Sequence, residues 1–328
     1  QTPYPGLSHD WGVTRDHLVF PVMPLVADEA RLRAGGAFYE YNADLPSKWC
    51  VMPRGGTVAD IRWFDIPGVV MGHVMNAFSE GDLVHVDTPV SPGNCFCFFK
   101  DKHGNFPKPA DTITQITRIT FDLSKPDDQS VTLQPLQGAL GDMPRIDDRF
   151  AMQKYRMGYF AFRDFPNMGI GQIDWDSGEI RYHTLQGASA QEPLFVPRSA
   201  DAAEGDGFIL TVVDRFAEKR TDLLILDAND VSRPALATVK LPFALPMAFQ
   251  VHTVPGSTAS EWRAMQRTLP HCDSTQIQSP SSMPCWRACV SNRPALTAIF
   301  RLPYARCSTK RCAFSNCAPA IACIWQPA

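Results

Sequence analysis

Long apolar runs are absent. No stretch approaches the ~20 residues that carry a helix across a bilayer, and the residues after Gln1 lack the basic, apolar, small-residue order of a secretion signal, so a soluble, cytoplasmic protein is expected. Sustained helical periodicity is also missing: hardly a segment up to Pro255 holds a 3.6-residue repeat for three turns, which excludes a helical bundle. Basic charge is scarce where a nucleic acid would need it. Residues 1 to 255 carry 23 Lys and Arg against 32 Asp and Glu, a net charge of −9, whereas a phosphate backbone is gripped by clustered cations. Cysteine is sparse in the same region, limited to Cys50, Cys95 and Cys97, as expected of a reducing compartment and a chain that relies on its core.

What is present is a chain of 328 residues, 45% hydrophobic, enough for one large core or two ordinary ones. From Asp10 to about Pro255 short alternating or β-rich runs are separated by turn residues, which predicts an all-β fold. The expected strands are Gly12 to Val22, Ile61 to Asp65, Val69 to Ala77, Asp82 to Asp87, Thr114 to Asp122, Val131 to Pro135, Gly158 to Arg163, Gly169 to Asp174, Ile180 to Leu185, Gly207 to Val213, Leu223 to Asp227 and Ala237 to Leu241. Asp176-Ser177-Gly178 between two of these runs reads as a hairpin turn in which glycine supplies a positive φ. A charged loop between Val213 and Asp222 reads as a second hairpin, so the sheets are expected to be antiparallel. Many short antiparallel strands favour a propeller or large barrel over a sandwich. No blade repeat is plain enough to count.

After Pro255 the composition changes. Residues 256 to 328 hold 8 Lys and Arg against 2 Asp and Glu, together with Cys272, Cys285, Cys289, Cys307, Cys312, Cys317 and Cys323. Strand alternation fades into Ser, Pro and Arg, and the region is expected to be separate and poorly ordered. Its cysteine spacings are irregular and lack the C-x2-C knuckle of a zinc site. Cys95-Phe96-Cys97 places both thiols on one face of an expected strand, where a pair of small buried residues is the expected role.

The eight histidines, His9, His17, His73, His85, His103, His183, His252 and His271, form no close pair of the H-E-x-x-H kind. A metal site built from them must gather ligands from distant strands. For a histidine taken alone, a surface or hydrogen-bonded core role is the commoner one. Two of them sit in distinctive segments: His9-Asp-Trp-Gly-Val-Thr-Arg-Asp-His-Leu-Val-Phe, and Gly72-His73-Val-Met-Asn-Ala-Phe-Ser-Glu-Gly-Asp. The first resembles the H-D-[FW]-x-x-T-x-x-x-[LV]-V-F segment, and the second the H-x-x-N-A-[YF]-x-E-G-D segment, of the carotenoid cleavage oxygenases, which include the lignostilbene dioxygenases and retinoid isomerases. Further stretches resemble that family in the same order: Pro53-Arg-Gly-Gly with Ile61-Arg-Trp-Phe, Met143-Pro-Arg-Ile-Asp, Glu192-Pro-Leu-Phe-Val-Pro-Arg and Asp206-Gly-Phe-Ile-Leu-Thr-Val-Val. The run from Met23 to Gly56 is most similar to the lignostilbene-type members.

The resemblance implies a seven-bladed β-propeller, here an incomplete set of blades over residues 1 to 255, with Fe(II) (Fe(2+)) on its axis held by four histidines. His9 and His73 match the second and third of these ligands. The implied reaction uses O2 to split a carbon-carbon double bond of a carotenoid, apocarotenoid or stilbene into two carbonyl products, so the implied partners are an apolar alkene and O2. Neutral imidazoles suit ferrous iron because they leave its charge intact and coordination positions open. Acids behind them accept the Nδ1-H and fix the tautomer. Glu192 matches one such acid. Asp142, two before Pro144 where the family usually has Glu, is a shorter candidate for another.

Elsewhere the pattern departs from the family. Its first ligand histidine lies upstream of the segment that His9 matches, where only eight residues are present, and Gln250 stands where the P-x-x-F-H-G segment would place the fourth. His252, two residues on, reaches that position only if the strand shifts by roughly 6 to 7 Å. The abrupt change after Pro255 points to a shifted reading frame or retained intron. Transcript sequencing across codons 245 to 260 tests this, and an uninterrupted frame encoding Gln250 in several isolates would reject it. A non-catalytic or truncated propeller remnant that binds an apolar ligand or a protein partner is the rival to an active dioxygenase.

Overall fold

The computed structural model describes residues 2–164, 167–241 and 244–245. They fall into two compact units, Gln1–Gln186 and Gly187–Ala328. In the first unit a six-stranded sheet contains β1 (Gly6–Leu7), β2 (Gly12–Val13), β3 (His17–Ala27), β4 (Tyr39–Tyr41), β5 (Ser47–Pro53) and β6 (Arg62–Ile66). Its order is β1-β3-β5-β6, with β2 and β4 also paired to β3. A second sheet of the same unit runs in chain order through β7 (Asn76–Glu80), β8 (Leu83–Val90), β9 (Gln115–Asp122), β10 (Val131–Ile146), β11 (Met157–Asp164), β12 (Asn167–Asp174) and β13 (Ile180–Leu185). The other unit holds β14 (Ala188–Ala190), β15 (Leu194–Pro197), β16 (Gly207–Arg215), β17 (Arg220–Asp227) and β18 (Ala237–Lys240) in one five-stranded sheet.

All ladders between these strands are antiparallel, as expected. The seven-stranded sheet is two four-stranded meanders that share one strand. β10 pairs with β9 over Val131 to Leu140 and with β11 over Gly141 to Ile146. Such four-stranded meanders are the blade unit of a propeller. In the first unit, Trp49, Phe64 and Phe121 are each at most 1% exposed and pack with Met23, Leu25, Val84 and Val86, drawing strands of both sheets into one core. Fully burying one such side chain contributes ~1.5–3 kcal/mol. A further cluster around Phe78, Ile116, Tyr155, Phe160 and Ile173 fills the later meander.

Several strand expectations need correction. The expected strand Gly12 to Val22 is two strands, because Thr14 Oγ1 accepts from Asp16 N (3.1 Å) and His17 N (2.8 Å) and closes a turn between them. Val69 to Ala77 is not a strand: only Val70 bridges to Ser91, and pairing begins at Asn76. Val69, Val70, Met71 and Met75 are all buried, so the apolar run reflects burial on several sides rather than a sheet face. β5 was not anticipated because Trp49, Cys50 and Val51 are buried consecutively, which conceals the two-residue period. β10 continues past Pro135 through Gly138 and Gly141, which look like breakers in the sequence. Cys95 and Cys97 lie outside any strand, Cys95 partly buried and Cys97 exposed, so the expected buried pair on one strand face is not found. Gln250, His252 and the 256–328 region lie outside the described residues. Among the described residues no helix is long and apolar enough to cross a membrane.

Candidate metal centre

The two singled-out histidines, 64 positions apart, are neighbours. His9 lies between β1 and β2, His73 between β6 and β7. Their rings meet edge to face, with centroids 5.1 Å apart and planes at 79°. Desolvation by the surrounding chain, then the adjacent His73 ring, hold His9 below the ordinary imidazole value, against the opposing pull of Asp10, the Gly72 backbone and Asp142. Both effects favour the neutral ring, the form that binds a metal.

His73 Nδ1 lies 2.9 Å from Asp142 Oδ1. That oxygen also accepts the Met143 N–H at 2.7 Å. Burial pushes the Asp142 carboxyl up, but His73, the Met143 amide and Arg163 outweigh it and leave the group below its ordinary value. Local backbone geometry aims this side chain. The β10–β11 register shifts between Asp142 and Arg145, and Met143 adopts φ 53° inside that irregularity. A bulge of this kind turns a side chain off the regular pleat. Gly141, at φ 156°, is required beside it, because a Cβ there would stand 2.1 Å from the Ala161 carbonyl oxygen. With Nδ1–H donated to Asp142, the His73 lone pair sits on Nε2.

Main-chain groups near His73 are also engaged. Thr88, fully buried, donates from Oγ1 to the His73 carbonyl at 2.7 Å, and Met75 N–H reaches the Asp87 carbonyl at 2.7 Å. Asp10 Oδ2 accepts the Val74 N–H at 2.8 Å while Oδ1 accepts the Trp11 N–H at 2.8 Å. Asn76 accepts the Met152 N–H and donates to Phe150 and Gln153 carbonyls, at 3.1–3.3 Å, fixing the loop before β11. A buried ion pair joins β8 to β9. Asp87, 0% exposed, takes two 2.8 Å hydrogen bonds from Arg118 and one of 2.7 Å from the Tyr155 hydroxyl.

Glu192 is 7% exposed and lies between β14 and β15 in the second unit. His85 illustrates the commoner fate of a histidine: it is buried against Phe78 with Nδ1 2.9 Å from Thr120 Oγ1. Sequence reasoning assigned no role to Asp10, Thr88 or Met143. Asp10 had a signal, being the second residue of the His9 segment. Met143 opens another segment that resembles the family, though nothing there marks its backbone N–H as a donor, and Thr88 had no signal, since its contribution depends on where β8 lies.

Two imidazoles, one backed by a carboxylate on Nδ1, match the ligands and outer partners that divalent iron takes. Among the described residues no group of three or more His, Cys, Asp or Glu is placed to hold a metal. His9 and His73 supply two imidazoles of that donor chemistry, short of a set of three.

Residues 1–253 match the family model described as Retinal pigment epithelial membrane protein. The chain is 34% identical over 273 residues to isoeugenol monooxygenase of Pseudomonas nitroreducens, covering 78% of this chain and 56% of that protein. It is 35% identical over 263 residues to lignostilbene-alpha,beta-dioxygenase isozyme III of Sphingomonas paucimobilis, covering 75% and 54%. Among solved structures, lignostilbene dioxygenase of Pseudomonas brassicacearum is similar with a TM-score of 0.72 at 34% identity, over 76% of this chain and 55% of that one. The chain thus spans about half the length of the relatives it matches.

Proposed function

Because the chain belongs to the Retinal pigment epithelial membrane protein family, that of the carotenoid and stilbene oxygenases, we propose that it is part of an Fe(II)-dependent dioxygenase acting on an apolar alkene. The reaction is cleavage of a carbon-carbon double bond of a stilbene, carotenoid or apocarotenoid with O2, giving two carbonyl products. The relatives named lignostilbene dioxygenase and isoeugenol monooxygenase favour an aryl alkene. Residues 1–255 form the propeller part and 256–328 a separate region, in keeping with a family match that ends at residue 253.

The observation that carries this reading is the meeting of His9 and His73, with Asp142 on Nδ1 of His73. His9 and His73 would hold the iron, which when bound supplies the one-electron chemistry that O2 requires to react with a closed-shell alkene. Asp142 keeps a proton on Nδ1 of His73 and so directs Nε2 as the donor. Glu192 is proposed to accept the Nδ1–H of another ligand imidazole. The rival reading, a propeller remnant that binds an apolar ligand without cleaving it, draws on the lack of a third donor beside the pair among the described residues.

Anaerobic reconstitution of the full chain with Fe(II), metal analysis, and then O2-dependent aldehyde formation from a 4-hydroxystilbene separate the two. Stoichiometric iron with aldehyde release is the expected result. Failure to retain iron assigns the chain to the rival reading.

A further inference from the structure

We propose that Asp10 is a positioning residue: a clasp that joins the His9 segment to the His73 segment and sets the spacing of the two imidazoles. The inference rests on the reading of His9 and His73 as metal donors.

The segment between β6 and β7 runs without a regular ladder, so its amides need individual acceptors. Met75 N–H finds the Asp87 carbonyl and Val70 N–H the Ser91 carbonyl. The Val74 N–H finds a side chain, Asp10 Oδ2, at 2.8 Å. The other Asp10 oxygen is taken at 2.8 Å by the Trp11 N–H, which fixes the carboxylate on its own backbone. Asp10 is covalently next to His9 and Val74 next to His73. One carboxylate thus ties together the residues adjoining both rings, whose centroids stand 5.1 Å apart. Thr88 Oγ1 in turn holds the His73 carbonyl at 2.7 Å from a fully buried position on β8. Thr88 anchors His73 to the sheet, and Asp10 brings His9, on a segment with little regular pairing, to that anchored point.

The geometry demands an acceptor of this reach at position 10. Asparagine offers one carbonyl oxygen at the same distance from the main chain, enough for the Val74 N–H, but its NH2 donates and leaves the Trp11 N–H without an acceptor. Glutamate keeps the charge but moves it outward by about 1.5 Å. The clasp therefore requires Asp10→Asn, which keeps the tie to Val74 and loses only the local bond from Trp11, to stand closer to the native chain than Asp10→Glu, which loses the reach and behaves like Asp10→Ala. A role through charge alone requires the reverse.

The test uses the full chain and these three variants, with two readouts. Cross-relaxation between the His9 and His73 ring protons, in histidine-labelled protein, reports their proximity without metal. Anaerobic Co(II) titration followed by visible absorption reports metal affinity, and thermal unfolding checks that each variant folds. The expected result is that Asp10→Ala and Asp10→Glu lose the cross-peak and bind Co(II) about ten- to a hundredfold more weakly, the usual penalty for removing support from a ligand, while Asp10→Asn keeps the cross-peak and binds Co(II) more tightly than either. A cross-peak and affinity unchanged in Asp10→Ala, or Asp10→Glu matching the native chain while Asp10→Asn fails, would overturn the clasp. Should the native chain show the cross-peak but bind no Co(II), the metal reading fails, and the clasp is then judged on the cross-peak of the variants. Should Asp10→Ala not fold, the contrast between Asp10→Asn and Asp10→Glu decides.

Discussion

Replacing Asp87 with alanine is expected to destabilise the first unit more than any surface change. The carboxylate is 0% exposed, and the Arg118 guanidinium that grips it through two 2.8 Å hydrogen bonds is 18% exposed. Arg118 also lies over the Trp175 ring at 4.2 Å and the Phe78 ring at 5.1 Å, so it has little freedom to swing into water. Truncating one partner of such a pair leaves an uncompensated buried charge, which costs about 3–5 kcal/mol. The Tyr155 hydroxyl, which donates to Asp87 at 2.7 Å and whose ionisation burial and Asp87 already push well up, loses its acceptor as well. That adds about 1–3 kcal/mol if it stays buried and unpaired, though the two losses share one network and do not sum. A total near 4 kcal/mol corresponds to a fall in Tm of about 8–16 °C for a unit of this size. Urea unfolding followed by tryptophan fluorescence measures it, with Trp175 as a local reporter. The double variant Asp87→Leu with Arg118→Met should recover most of the loss, since an apolar pair of similar volume often matches a buried ion pair. A loss below ~1 kcal/mol in Asp87→Ala would show that Arg118 finds water or another partner, and the reasoning would be wrong.

Other expectations follow from single contacts. Asp142→Ala should weaken anaerobic Fe(II) or Co(II) binding about ten- to a hundredfold by releasing the Nδ1–H of His73; equal metal content in both chains would remove Asp142 from the site. Gly141→Ala should cost about 1–3 kcal/mol, because its Cβ would meet the Ala161 carbonyl at 2.1 Å where φ is 156°, and urea midpoints that coincide with the native chain would contradict the bulge geometry. The Asp174 carboxyl is lowered to about 2 from 3.8, chiefly by its hydrogen bond from Arg156. Its unfolded form therefore takes up a proton first on acidification, so the pair's stabilisation is complete above about pH 4 and is lost as pH falls towards 2. Arg156 is 56% exposed, and screening holds the effect below ~1 kcal/mol; Arg156→Ala should flatten that part of the stability profile, and parallel profiles would exclude the pair. Gln250→His should tighten Fe(II) binding in an anaerobic titration, as the resemblance of the Leu245 to Pro255 segment to a ligand segment requires, and an unchanged affinity would remove position 250 from the site.

Particular residues show why parts of the fold and site were legible and parts were not. The hairpin at Asp176 to Gly178 was readable because its requirement is local: Gly178 takes φ 73°, and its N–H closes on the Asp174 carbonyl at 2.8 Å. β16 and β17 were readable because two apolar runs flank a short charged loop. β5 was hidden, since a strand buried on both faces loses its alternation. The segment around His73 was misread as a strand for a related reason: its run of buried residues carries no sign of whether a neighbouring strand pairs with it. The end of β10 was missed because proline and glycine mark a break and a bulge alike, and which one forms depends on whether β11 is there to pair.

The sequence by itself determined that this is an all-β chain with antiparallel hairpins. Through the segments around His9 and His73, it also determined the family to which the chain belongs. Those properties depend on period, turn chemistry and local motif, all of which act over a few neighbouring residues. Only the tertiary structure decided that His9 and His73 touch, that a bulge after Gly141 turns Asp142 onto His73, and that Asp10 links the two histidine segments. Each of these is a contact across more than sixty positions of chain, set by the order of strands and by bulges in their register, and one residue's slip in a strand sends its side chain to the other face.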